Sequence, residues 1–204
     1  QPIEQEMQIR LMEQVHNHQG ERSMLVMRPA DAEETVVAWQ CAMNEKRPVA
    51  LIFSRQNIKS LPALNCSRRD EAKQATKGAY IVMDSAKAKV VMLASGSEVA
   101  TLIEGAELLQ KEGIAVRVVS VPSEGLFRDQ PKSYQDSILP KNIVRYGMTS
   151  GLSINLRGLV GENGVIHGCD HFGYSAPFKV LDEKFGYNGQ TVYEEVKALL
   201  NKNN

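Results

Sequence analysis

Residues 90–121 read VVMLASGSEVATLIEGAELLQKEGIAVRVVSV, and this stretch decides the fold class. A continuous apolar run at 90–94 and a largely apolar segment of strand length at 115–121 lie on either side of a segment whose apolar residues recur at helical spacing. Gly113 follows the last of these residues and predicts the end of a helix. A strand, a helix and a second strand in this order predict a right-handed βαβ unit with parallel strands.

The sequence on the C-terminal side of this unit extends the same pattern. Apolar runs at 143–146 and 164–167 indicate further strands, and a helix is predicted between them at 153–159. Two more helices are predicted at 177–185 and 191–200, and a strand at 79–83 precedes the unit. The fold class predicted is therefore α/β, with a mostly parallel sheet and helices on both faces.

The first 55 residues predict a partial α/β unit. Pro2 to Val15 carries an apolar residue at every fourth position, which is typical of an amphipathic helix. Asp31 and Glu34 have the spacing of a capping box at the start of a second helix. Apolar strands are predicted at 23–28 and 48–53, whereas 54–77 has no apolar period and is interpreted as containing a linker.

Composition excludes several classes of protein. The 204 residues include 24 Lys and Arg against 24 Asp and Glu, so no broad positive field favours binding to nucleic acid or to an anionic membrane. No apolar run approaches the roughly 20 residues that cross a bilayer. Cys41, Cys66 and Cys169 are an odd number of distant cysteines and do not indicate a disulfide framework, so we expect a cytoplasmic protein.

Three features are candidates for binding chemistry. The turn Ser95-Gly96-Ser97-Glu98 joins a strand to a helix and either binds an anion through backbone amides or caps the helix. His167, Cys169 and His171 alternate, so they either hold a metal such as zinc or pack and form hydrogen bonds in the ordinary way. Arg55 directly follows an apolar strand, where a guanidinium group either holds a phosphate or forms an ion pair.

Five segments, in this order and at closely similar spacing, resemble landmarks of the transketolase family. They are Gln1-Pro2-Ile3-Glu4-Gln5, Arg28-Pro29-Ala30-Asp31, Leu51-Ile52-Phe53-Ser54-Arg55-Gln56-Asn57, Ala94-Ser95-Gly96-Ser97-Glu98-Val99 and Phe172-Gly173-Tyr174-Ser175-Ala176-Pro177. The resemblance covers essentially the whole chain. It implies a remnant of the pyrimidine-binding domain at 1–60, a linker at 61–77 and the transketolase C-terminal domain at 78–204. Because the chain begins at Gln1 without Met, we expect a processed product or an excised piece of something longer.

The resemblance also implies an activity for the full-length parent. Transketolases transfer a two-carbon ketol unit between sugar phosphates in the pentose phosphate pathway, as homodimers that use thiamine diphosphate and Mg²⁺. Arg55 matches the family arginine that binds the substrate phosphate. The domain that binds diphosphate and metal, the glutamate that activates the cofactor and the histidine before the HQP-type motif are not found in this sequence. We therefore expect the chain alone to be inactive, with no bound cofactor, no metal ligand and no catalytic residue of its own.

Two departures from the family pattern and two alternatives bear on this interpretation. The stretch at 16–22 is longer than the commonest pattern, and we expect it in a surface loop. Met148-Thr149-Ser150-Gly151 stands where the family often has Glu-Ala-Gly, so no residue of the C-terminal domain inherits a catalytic role. The alternatives are a related thiamine enzyme, such as a deoxyxylulose-phosphate synthase or a 2-oxo-acid dehydrogenase subunit, and a non-catalytic module for dimerisation or anion binding.

Overall fold

The computed structural model describes residues 4–202. Gln1, Pro2 and Ile3, the first residues of the first landmark segment, lie outside this range. The first part of the chain forms α1 (Gln5–Gln14), β1 (Leu25–Met27), α2 (Ala32–Asn44) and β2 (Val49–Leu51). It is followed by α3 (Arg68–Ala72) and a 3-10 helix (Lys73–Lys77). The second part forms β3 (Tyr80–Met83), β4 (Val90–Ala94), α4 (Glu98–Lys111), β5 (Val116–Ser120), α5 (Glu124–Arg128), α6 (Lys132–Ile138), β6 (Val144–Met148), a 3-10 helix (Ser153–Leu156), α7 (Arg157–Val160), β7 (Val165–His167), α8 (Phe178–Phe185) and α9 (Gly189–Lys202).

The second part is built on a five-stranded sheet in the order β3-β5-β4-β6-β7. β4 runs parallel to both β5 and β6, and β6 runs parallel to β7, whereas β3 pairs antiparallel with β5 at one edge. The βαβ unit at 90–121 and the mostly parallel sheet are thereby confirmed. The antiparallel edge strand was not predicted, because a short apolar run does not reveal strand direction.

Side chains alternate between the two faces of this sheet, and each face packs against helices. Val90, Met92 and Ala94 of β4 lie in a core with α4 and α9. Val91 and Leu93 lie in a second core with α5, α6 and α7. Helices on both faces are therefore confirmed. The sequence did not predict α5 and α6, because these helices have only five and seven residues.

The first part of the chain has little core of its own. β1 and β2 form a two-stranded parallel sheet, with Leu25, Met27 and Ala38 as its buried apolar cluster. A two-stranded sheet is marginal unless it packs against something larger. The first part is therefore buried mainly by its contacts with the second part of the chain.

Helix α1 corrects one expectation drawn from the apolar period. Met7 is buried, but Leu11 and Val15 are each 60% exposed, while Arg10 and Glu13 are buried. The helix turns its polar face towards the second part of the chain because that face finds partners there. The Glu13 carboxylate accepts hydrogen bonds from the backbone N–H groups of Val26 and Gly125, both at 3.0 Å.

A buried charge network joins α2 to α3 and to the second sheet. The guanidinium of Arg68 donates to Asp31 at 2.7 and 3.1 Å, to Glu34 at 3.3 Å and to the Tyr80 hydroxyl at 2.7 Å. Tyr80 and Ser120 in turn donate to Glu34, at 2.6 and 2.8 Å. Glu34 is fully buried, and burial raises its pKa, although hydrogen bonds and the Arg68 charge act against burial. We call Asp31, Glu34, Arg68, Tyr80 and Ser120 the Arg68 network.

The Asp31 cap at the start of α2 is confirmed and belongs to the same network, whereas the Glu34 carboxylate bonds to the residue before the N-cap and so does not complete the predicted capping box. The Asp31 carboxylate accepts from the Glu34 backbone N–H at 2.9 Å, and the Glu34 carboxylate accepts from the Ala30 N–H at 2.8 Å. The sequence predicted this cap as a local feature only. Its side chains also serve a contact with Arg68, which is 37 residues from Asp31 along the chain.

The long stretch at 16–22 forms a turn closed by a bridge between His16 and Arg22. Most of it is exposed, as expected of a surface loop. Arg22 itself is buried and makes two hydrogen bonds of 2.8 Å to Asp129, just beyond α5. The loop is thus fixed to the second part of the chain at its end.

Gly78 provides a test of how closely the chain before β3 packs against the backbone at the start of α5. Its φ is +84°, and a Cβ there would lie 2.2 Å from the Phe127 nitrogen and 2.4 Å from the Ser123 oxygen, both backbone atoms. We expect Gly78→Ala to lower the free energy of unfolding by about 3 kcal/mol or more, because backbone atoms cannot move aside cheaply. Urea unfolding followed by circular dichroism measures this change.

Gly113→Ala is the matched control. Gly113 also has a positive φ, of +76°, but nothing lies within 4 Å of a Cβ built there. Its cost is limited to the left-handed backbone, about 1 kcal/mol. Equal destabilisation by the two substitutions would contradict close packing around Gly78.

Candidate functional site

Arg55 lies just beyond the carboxyl end of β2. The Ile52 N–H donates to the Met27 carbonyl at 2.9 Å, which continues the pairing of β1 with β2 one residue past the strand. The chain then leaves the sheet, and Arg55 is exposed. Among residues 4–202, its side chain makes no hydrogen bond or ion pair. Its guanidinium group is therefore available to an anion rather than bound to a carboxylate of the described residues.

The segment that carries Arg55 is held at both ends. At its start it is bonded to Met27, and at its end the Leu61 N–H donates to Asp31 at 3.1 Å. Between these points Lys59 pairs with Glu104 on α4. The same Asp31 carboxylate accepts from Arg68, so the Arg68 network also fixes the segment 52–61.

The carboxyl end of β1 holds a second arginine with a different role. Arg28 is buried, and its guanidinium is bonded to both carboxylate oxygens of Glu98 and to the Ser150 hydroxyl at 3.2 Å. Burial works to lower the pKa of Arg28, but the charges of Glu98 and Glu6 outweigh it and raise the pKa. Arg28 is thus committed to internal carboxylates.

The turn Ser95-Gly96-Ser97-Glu98 receives this arginine. The Arg28 guanidinium donates to the Ser95 carbonyl at 2.5 Å, and a Cβ on Gly96 would lie 2.5 Å from the Arg28 Cζ. Ser97 makes no side-chain cap, and the Ser95 hydroxyl accepts from Arg10 at 2.9 Å. Neither a serine cap nor an anion site describes these contacts. The turn instead binds a cation, the guanidinium group of Arg28.

The segment that departs from the family pattern contributes to this contact. Ser150 bonds to Arg28, and the Thr149 N–H donates to the His167 carbonyl at 2.9 Å. No local sequence pattern indicates these contacts, because each joins residues more than fifteen positions apart. The segment serves to dock the first part of the chain onto the carboxyl edge of the second sheet.

His167, Cys169 and His171 each have partners within the protein. His167 lies 3.1 Å from a Glu195 oxygen through Nδ1 and 2.8 Å from the Phe185 carbonyl through Nε2. Burial works to lower the pKa of His167, but these two contacts outweigh it and raise the pKa, which favours the imidazolium form. Cys169 is buried with its Sγ 3.4 Å from the His171 carbonyl.

Metal-ligand clusters and membrane-spanning helices are both absent from the described residues. Within residues 4–202, no three His, Cys, Asp or Glu side chains are placed to hold a metal ion. None of the helices in that range is both long and apolar enough to cross a membrane.

Comparison with known proteins assigns both parts of the chain to one family. The family model of the transketolase pyrimidine-binding domain matches residues 1–60, and that of the transketolase-like C-terminal domain matches residues 78–188. A transketolase of Halalkalibacterium halodurans is 38% identical over 192 residues, which is 93% of this chain and 28% of that protein.

Solved structures agree with this assignment. Transketolase from Leishmania mexicana superposes with a TM-score of 0.85 at 30% identity, over 99% of this chain and 28% of its own. A structure described as a split gene transketolase, an inactive β4 tetramer, shares the fold with a TM-score of 0.73 at 22% identity, over 98% of this chain and 63% of its own. The chain spans just over a quarter of the curated relative's length, 28%. With both of its parts matched, this chain belongs to the transketolase family.

Proposed function

We propose that this chain is the C-terminal part of a transketolase and contributes to the transfer of a two-carbon ketol unit between sugar phosphates. In this proposal residues 1–60 are the last part of a pyrimidine-binding domain. Residues 61–77 are the linker, and residues 78–204 are the C-terminal domain. The parent is a cytoplasmic homodimer that uses thiamine diphosphate and Mg²⁺. The observation that carries the proposal is the match of two different transketolase domains, in family order, on one chain.

Exposed apolar side chains support a role within a larger assembly. Met43 is 79% exposed, Trp39 53% and Phe53 47%, in addition to Leu11 and Val15 of α1. Apolar surface of this kind marks an interaction site. In the proposal, the remainder of the pyrimidine-binding domain covers these side chains and extends the two-stranded sheet.

The described residues show no cluster of three side chains that could hold the family's metal. The acidic and imidazole side chains between residues 4 and 202 do not gather in a metal-binding set. No step of the reaction is therefore assigned to thiamine diphosphate or Mg²⁺ on this chain. In the proposal both are held by residues outside it.

Arg55 is the residue for which we propose a contact with substrate. It is exposed at the carboxyl end of β2 and has no partner in the described chain, and such ends are where α/β proteins place ligands. A guanidinium group offers two parallel N–H donors to a phosphate and stays charged at any physiological pH. Binding of the remote phosphate fixes the position of the sugar, which aids reaction at its other end.

The activity of the chain itself is the first test. We expect no turnover from the purified chain supplied with thiamine diphosphate, Mg²⁺ and a pair of sugar phosphates, because the cofactor-binding residues are expected elsewhere. A coupled spectrophotometric assay measures this. Robust turnover would show that the chain holds a complete site.

The same question is then put to the full-length parent. Growth of a transketolase-deficient strain carrying the parent gene is expected to be restored. Failure of a soluble, folded parent to do so would favour a related thiamine enzyme with a similar C-terminal domain.

Arg55 is tested in the full-length parent. We expect Arg55→Ala to lower kcat/KM for a phosphorylated ketose about tenfold to a hundredfold, mainly through KM, because a charge-assisted bidentate contact is lost. With an unphosphorylated ketol donor the variant is expected to match the wild type. Steady-state kinetics with both substrates measure the difference.

Arg69→Ala is the matched control, since Arg69 is also exposed but precedes the second domain in α3. It is expected to leave both substrates unaffected. An Arg55→Ala defect that is equally large without the phosphate group would refute phosphate recognition at this position.

A further inference from the structure

A groove of about 980 Å³ opens at the amino ends of β4, β6 and β7. This is the opposite edge of the sheet from the Arg28 and Ser120 contacts, which lie at the carboxyl ends of the strands. We call it the amino-edge groove. Its polar lining includes Lys87, Lys89, Lys141, Arg145, Asn163 and Lys197.

The groove is strongly positive on a chain that is neutral overall. Five cationic side chains line it against a single carboxylate, Glu162. A concave surface with one sign of charge concentrates its field and attracts counter-ions. Because the whole chain has 24 positive and 24 negative residues, this excess of positive charge is local rather than general.

Several of these charges have no internal counter-charge. Lys87 and Lys89 are exposed, and neither side chain forms an ion pair or a hydrogen bond within residues 4–202. Lys141 lies 3.8 Å from Asp136, at the far limit of an ion pair. Lys197 is the exception, with Glu112 at 2.8 Å.

Arg145 is the most confined cation of the groove. Its guanidinium donates to the carbonyls of Leu159 at 2.6 Å, Leu139 at 2.8 Å and Pro140 at 3.2 Å, and it forms no ion pair with a described residue. Burial lowers the pKa of Arg145, and the charge of Asp136 acts the other way. Neutral carbonyls fix the orientation of this cation without cancelling its charge.

The backbone beside the groove offers further donors. Arg157 donates to the carbonyls of Gly161 and Gly164 at 3.0 and 3.1 Å and thereby fixes the turn between them. The N–H groups of Glu162 and Asn163 in this turn have no acceptor among the described residues. Free amides next to cations are suited to anionic oxygens.

The cations come from separate segments, at 87–89, 141–145 and 197, so an extended anion can contact more than one of them. We propose that the amino-edge groove binds the triphosphate group of inorganic triphosphate or of a nucleoside triphosphate. A chain of phosphates spans cations on different loops, and the apolar residues Ile114, Ile143 and Leu200 at the groove provide a surface for an organic moiety.

The test is a titration of the ¹⁵N-labelled chain with inorganic triphosphate at low salt, followed by NMR. Amide shifts are expected at 87–89, 141–145 and 161–164, and binding is expected to weaken as salt is added. A parallel titration with a nucleoside triphosphate identifies the source. Tighter binding by about tenfold or more assigns the organic moiety to the apolar surface, and equal affinity assigns inorganic triphosphate; both support the site.

A double variant, Lys87→Asn with Lys89→Gln, removes the two unpaired charges. Asn is chosen because Lys87 has a φ of +58°, which Asn tolerates. We expect Kd for triphosphate to rise about fivefold to tenfold, the combined effect of two exposed charged contacts.

The matched control is Lys46→Gln with Lys179→Gln, which removes the same charge from exposed positions outside the groove. It is expected to change Kd less than about twofold. An equal loss of affinity in both variants, shifts confined to the segment around Arg55, or no saturable binding by the folded chain would overturn the proposal.

Discussion

The contact of Arg68 with Asp31 and Glu34 makes one structure out of two parts that match different domains. Both carboxylates are almost completely buried, and the Arg68 side chain is 11% exposed. Removing one partner of a buried ion pair typically costs about 3 to 5 kcal/mol, because the other charge is left unpaired. Loss of one member of the Arg68 network is therefore expected to destabilise the contact between the two parts of the chain.

The Arg68 network also helps to fix the position of Arg55, the candidate substrate residue. Asp31 bonds to Leu61, so the same carboxylate that meets Arg68 also anchors the end of the segment that carries Arg55. The β-sheet fixes the other end of that segment. The second part of the chain thereby sets the position of Arg55 without contacting it. The first part also exposes large apolar side chains, such as Trp39 and Met43.

The sequence was informative where a single local pattern decides the structure. Continuous apolar runs and a helical period predicted the βαβ unit, and all five predicted apolar residues of its helix are buried; they are Val99, Leu102, Ile103, Ala106 and Leu109. The Asp31–Glu34 cap was predicted for the same reason. The placement of Arg55 after a strand followed from the apolar run before it.

The sequence was uninformative where the partner is distant along the chain. The apolar period of α1 predicted the wrong buried side, because Arg10 and Glu13 have partners more than eighty residues away that outweigh the burial of Leu11. The polar stretch that contains Arg68 predicts only a linker, and the turn at 95–98 carries no local sign of Arg28, which is 67 residues from Ser95.

The most direct test is amide hydrogen exchange of the intact chain. Amides of β1 and α2 are expected to exchange only through the same global opening as those of β4 and β5. Faster exchange in β1 and α2, through an opening of their own, would contradict the claim that the Arg68 network joins the two parts into one cooperative unit.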